Sequence, residues 1–187
     1  IRKIILNRLG IELTLGSQAT TWMSYLNTLE QYKLFMDWHS AYQERTEKEY
    51  YASKDKFDKL LSLLPEEPPF RPNLQGFLNI LEVNLGIADD PKLALEEVRE
   101  LSKEFMIYAP KLVVCYSLDA YAEGMMLGNW SKALNCAMKI TDIDPTSFEA
   151  MAVAAVVFGN NGDWDKAALT FKRILNYTPQ APTFVRS

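Results

Sequence analysis

The feature that most constrains this 187-residue chain is a 34-residue register in its second half. Gly128 aligns with Gly162, Trp130 with Trp164 and Lys132 with Lys166. Ala133 aligns with Ala167, Ile140 with Ile174 and Pro145 with Pro179. A fixed period of this length marks one supersecondary unit repeated, each copy burying its apolar face against the next. The parts of the period have mechanical reasons. Gly128 and Gly162 suit the left-handed backbone that ends a helix. Asn129 and Asp163 can cap the helix that follows. Each Trp is expected to wedge between two helices, Ala133 and Ala167 to sit where helices cross closely, and Pro145 and Pro179 to stop the second helix. The expected fold is all-α, built from stacked antiparallel helical hairpins.

Gly-Asn/Asp-Trp-x-Lys-Ala, with Pro fifteen residues after the Trp, resembles the tetratricopeptide repeat (TPR). Ala155, Phe158, Gly162, Trp164, Ala167, Phe171 and Pro179 match that family's pattern; in the preceding unit Ala137 stands where the family carries an aromatic. The resemblance implies a TPR-like right-handed α-solenoid. Spacing of prolines extends it backward, giving units of about 27–65, 73–110, 112–145 and 146–179. In the second, Asn73 is expected to cap a helix carrying Leu74, Phe77, Leu78, Leu81 and Leu85, with Gly86 as its stop. Asp90-Pro91 opens the partner helix, Asp as cap and Pro in the first turn. In the first, helices are expected from Thr28 to about Tyr42 and from about Glu47 to Leu64. Pro65-Glu66-Glu67-Pro68-Pro69 reads as a rigid connector.

Residues 1–26 read as a linker helix and junction ahead of a helical domain at 27–187. Ile1, Ile4, Ile5 and Leu9 share a helix face that ends at Gly10. Glu12-Leu13-Thr14-Leu15-Gly16-Ser17-Gln18-Ala19, then Tyr25-Leu26 and Leu29-Glu30-Gln31-Tyr32, loosely resemble the junction between an adenylate/guanylate cyclase or winged-helix domain and the TPR region of bacterial regulators. Lys33-Leu34-Phe35-Met36 departs from that pattern where the family often has glycine. The chain, opening on Ile1, reads as a segment of a longer, cytoplasmic protein.

Composition narrows the function classes. Hydrophobic residues are 48% and charged residues 24%, enough apolar material for a core. A net charge of −4 argues against nucleic-acid binding through this region. The longest apolar run, Ala150 to Gly159, falls short of the roughly 20 residues a membrane span needs. Cys115 and Cys136 with the lone His39 do not make a metal site, and both thiols are expected to be reduced and buried. His39 is expected on a solvated helix face. Glu66-Glu67 and Glu96-Glu97 are adjacent pairs rather than carboxylates converging from different elements. No phosphate-binding loop or nucleophile elbow is present in the sequence. Met125-Met126 reads as apolar packing. No catalytic residue, metal or cofactor is assigned.

Function is then expected from shape. The TPR resemblance implies a concave groove lined by the second, fifth, ninth, twelfth and thirteenth positions of each unit. Counted from Val114 these are Cys115, Leu118, Ala122, Met125 and Met126, with the register of this unit open by one residue. Counted from Phe148 they are Glu149, Ala152, Val156, Gly159 and Asn160. The family's clamp for an acidic peptide tail needs Lys, Arg and Asn there, and only Asn160 fits. The expected function is a non-catalytic protein–protein interaction module, the carboxyl-terminal TPR region of a bacterial signalling or transcriptional regulator. Two alternatives stand beside it. One is a homo-oligomerisation element uniting upstream effector domains, with self-association through the edge formed by Ala168, Phe171, Leu175 and Tyr177. The other is an all-α ligand-sensing domain.

Overall fold

The computed structural model describes residues 26–65 and 70–177, and within them it is all-helical, with no strand. Eight α-helices follow one another: α1 Leu29–Glu44, α2 Glu47–Leu63, α3 Phe70–Leu85, α4 Pro91–Tyr108, α5 Val113–Tyr121, α6 Trp130–Ile143, α7 Phe148–Asn160 and α8 Trp164–Tyr177. The junction at 1–25, residues 66–69 of the proline-rich connector, Pro179 and the terminal segment lie outside the described residues.

Local chemistry sets the helix ends. Thr28 and Gln31 form a capping box: Gln31 N–H donates to Thr28 Oγ1 at 3.1 Å and Gln31 Oε1 accepts from Thr28 N–H at 3.1 Å. The amide of Gln31 also donates to Leu63 O at 2.7 Å, tying the start of α1 to the end of α2. Asp90 accepts from the N–H groups of Lys92 and Leu93, each at 3.0 Å, with Pro91 at the first helical position. Asn129 and Asp163 cap α6 and α8 through Lys132 N–H and Lys166 N–H. The glycines before those caps take positive φ, 61° at Gly128 and 83° at Gly162. One expected cap fails. Helix α3 starts at Phe70, so Asn73 lies inside it and is buried.

Adjacent helices pack in pairs: α1 on α2, α3 on α4, α5 on α6 and α7 on α8. Between pairs, α4 packs on α5, α6 on α7, α3 on α5, and α5 on α7. The first three helices share an aromatic cluster. Trp38 lies 5.1 Å from Phe57 and 6.4 Å from Phe77, and Phe35 lies 5.9 Å from Phe70, ring centroid to centroid. Removing such a ring from water contributes about 1.5–3 kcal/mol each. Toward the other end the core is mostly aliphatic and small: Leu118, Ala133, Ile140, Met151, Ala154 and Val157 are buried, with Phe148 and Phe158 as the large rings among them. No helix among the described residues is long and apolar enough to cross a membrane.

One irregularity corrects the sequence register. Helix α5 runs directly into a π-helical turn, Ala122–Met126. The starts of α6 and α8, Trp130 and Trp164, are 34 residues apart, whereas the starts of α5 and α7, Val113 and Phe148, are 35 apart. The earlier hairpin carries one extra residue, and the widened turn absorbs it. Upstream of that turn the true equivalents of Glu149, Ala152 and Val156 are therefore Val114, Ser117 and Tyr121. Cys115 and Ala122, assigned to the groove on a strict 34-residue count, are rotated into the core and wholly buried.

Candidate functional site

Helices α1, α3, α5 and α7 turn one face toward a shared cavity of about 140 Å³. Its apolar wall is made by Phe77 and Ile80 of α3, Leu118 of α5, and Ala152, Val153 and Val157 of α7. Arg45, Asn84, Tyr121 and Glu149 supply the polar groups at its margin. Tyr121 O–H donates to Asn84 Oδ1, joining α5 to α3. Burial raises the Tyr121 hydroxyl above its usual value, and burial also pushes that of Tyr42 up, so both phenols stay protonated at neutral pH.

The expected groove residues divide. Leu118, Met125, Glu149, Ala152 and Val156 line the cavity. Cys115 and Ala122 present no surface. Asn160 and Gly159 lie on a second, more open groove with Val156, Trp164, Ala167 and Phe171. Only the backbone of Met126 is described. Met125 is 56% exposed rather than packed away, because the π turn swings it outward. Reasoning from sequence missed Ser117 and Tyr121; the 35-residue offset between Gly124 and Gly159 was the signal that could have found them.

His39 also departs from expectation. It is buried, stacks on Phe35 at 5.7 Å, and places Nε2 3.2 Å from Glu149 Oε1. Gln43 Nε2 donates to the same carboxylate oxygen. Side-chain hydrogen bonds thus join helix α1 to α7 across more than a hundred residues of sequence.

No protein-family model matches the chain, nor does any curated protein or solved structure match it closely enough to mark a relative.

Two further groups lie near the cavity. Glu123 is buried in the π turn and pairs with Lys132; the hydrogen bond that Lys132 Nζ donates to the Glu123 carboxylate raises the ammonium above its usual value. Asp119 is buried and accepts a hydrogen bond from the Cys136 thiol at 3.4 Å. The Cys115 thiol points to Leu112 O at 2.7 Å. Burial pushes both thiols up to about 12, so neither is a nucleophile at neutral pH. Among the described residues no cluster of three or more His, Cys, Asp or Glu is placed to hold a metal.

Proposed function

We propose that the chain is a TPR-like right-handed α-solenoid whose units are the hairpins α1–α2, α3–α4, α5–α6 and α7–α8, acting as a non-catalytic protein-interaction module. On the junction resemblance, it belongs to the carboxyl-terminal part of a cytoplasmic bacterial signalling or transcriptional regulator. The observation that carries the reading is the contrast between two equivalent grooves. In the groove between α5 and α6, Trp130 is half-buried and α7 lies across it, with Asn161 Nδ2 donating to Trp130 O at 3.1 Å. The groove between α7 and α8 is lined by Ala155, Val156, Gly159, Trp164, Ala167 and Phe171, and there Trp164 is 71% exposed. A surface already shaped to seat an apolar helix points to a partner helix of the same kind, rich in small and β-branched residues as α7 is.

A synthetic peptide copying residues 146–162 tests this. It should bind the 187-residue chain and alter its tryptophan emission, and Val156→Asp should weaken binding about tenfold or more while leaving the helical circular dichroism intact. Light scattering at the same concentrations reads the competing outcome, a second copy of the chain on that groove. A peptide that does not bind, or binds Val156→Asp equally well, overturns the reading.

A further inference from the structure

We propose that the cavity between α1, α3, α5 and α7 is a binding site for a small aromatic molecule of about indole's size, neutral or zwitterionic. This goes beyond the partner groove and does not depend on it. Four observations lead there. The first is size: an apolar cavity of about 150 Å³ is known to take benzene from water, and this one is about 140 Å³.

The second is the lining. Phe77, Tyr42, Trp130 and Phe171 contribute rings, and Ile80 and Leu118 fill between them. Ring edges and faces at such a wall favour an aromatic guest over a linear aliphatic one, because offset and edge-on pairs add about 0.5–1.5 kcal/mol each beyond area burial. The small side chains of Ala120 and Ala152 leave the volume open.

The third is charge. Arg45 and Glu149 bring one charge of each sign to the margin, beside the Asn84–Tyr121 hydrogen bond. Opposite charges on one rim cancel toward a neutral guest and complement a zwitterion. A guest of single net charge meets one of them unfavourably.

The fourth is access. His39 and Gln43 of α1 touch Glu149 of α7 within hydrogen-bond reach. A helix with its side chains is about 10–12 Å across, so no such segment passes between α1 and α7 while that contact holds. A compact molecule can reach the cavity from the side of Met125 and Val156, both exposed at its edge.

The test uses indole as the neutral probe, with benzoate and tryptamine as anionic and cationic comparisons. Titrated into the 187-residue chain and followed by amide chemical shifts, indole should bind with a dissociation constant of about 1 mM or tighter. Shifts should be confined to the residues of the cavity, and the two charged probes should bind several-fold more weakly. Ala152→Leu, which fills the space, should abolish binding. Should that variant fail to fold, Val153→Phe fills the same cavity from a half-buried position at lower risk of overpacking. Indole binding that survives in the folded filling variant, shifts spread over the whole surface, a charged probe preferred over indole, or no saturable binding would each overturn the proposal.

Discussion

The hairpins α5–α6 and α7–α8 share a period, a glycine stop and a capped second helix, yet they solve the same packing problem with different chemistry. Where α7 carries buried Phe158, α5 continues into a π turn carrying buried Glu123. The lysine above each is equivalent. Lys166 sits over the Phe158 ring at 4.2 Å, whereas Lys132 pairs with the Glu123 carboxylate. Behind them, Asp119 and Cys136 form a buried polar contact where the later hairpin has Ala154 and Thr170. The later hairpin is almost wholly apolar inside and keeps helical register. The earlier one accepts an extra residue and two buried acids. A period fixes where helices start and stop, and it leaves the interior chemistry free to diverge.

Exchanging the chemistry of the two hairpins gives the largest expected effect. Phe158→Glu removes a fully buried ring and places a carboxylate in an apolar interior, and should cost about 3–5 kcal/mol in urea unfolding. Glu123→Phe makes the earlier hairpin resemble the later one and should cost less than about 1.5 kcal/mol. Equal costs would mean that the two lysines do not occupy equivalent places.

The tryptophans come next. Trp130 lies half-buried under α7, and Trp130→Ala should cost about 2–3 kcal/mol. Trp164→Ala, at an exposed position, should cost about 1 kcal/mol or less. Thermal midpoints that fall equally would show that the open groove is covered in solution.

A finer probe is the glycine beneath each tryptophan. A Cβ on Gly124 would lie 2.6 Å from Trp130 Cζ3, and one on Gly159 would lie 3.2 Å from Trp164 Cζ3. Gly124→Ala should therefore cost about 1–2 kcal/mol, net of the helix-favouring gain from alanine. Gly159→Ala should be close to neutral, because the exposed Trp164 ring can give way. Equal denaturant midpoints for the two variants would contradict the tighter fit around the π turn.

The smallest effect is alkaline. Both cysteines belong to the earlier hairpin, and in the folded chain their thiols stay protonated toward about 12. Unfolded thiols ionise near 8.5, so unfolding releases protons above that pH. The stability they contribute is greatest below about pH 8.5 and declines as pH rises, by about 2 kcal/mol for the pair at pH 9. Chemical unfolding between pH 8 and 9.5, below tyrosine ionisation, should show the decline. Cys136→Ala should reduce its slope by about half; an unchanged slope would assign the decline to other groups.

Much of the architecture was legible because helix ends are local events. Asp90-Pro91, Thr28 and the Gly-Asn/Asp steps announce themselves within four residues, and the structure places caps at each. The site was less legible for three reasons. The extra residue near Gly124 rotates α5 out of a 34-residue count, which sent Cys115 and Ala122 inward and hid Ser117 and Tyr121. His39 lies near Asp37, Ser40 and Gln43 in sequence, and its contact with Glu149 comes from α7, far along the chain. Trp164 follows the same motif as Trp130, and its exposure depends on what lies across the groove, not on its own surroundings.

The contact between α1 and α7 has a consequence for how the chain comes apart. Hairpin arrays whose units touch only their neighbours have low contact order and fray from the ends. Here Glu149 meets His39, 110 residues earlier. The cost of closing so long a loop grows only logarithmically with its length, and most of it is already met once the intervening helices have stacked. The two ends then support each other late in folding. Opening α7 exposes His39, and loosening α1 frees Glu149. The chain would resist piecewise unravelling and melt closer to a single cooperative unit than a linear row of hairpins does.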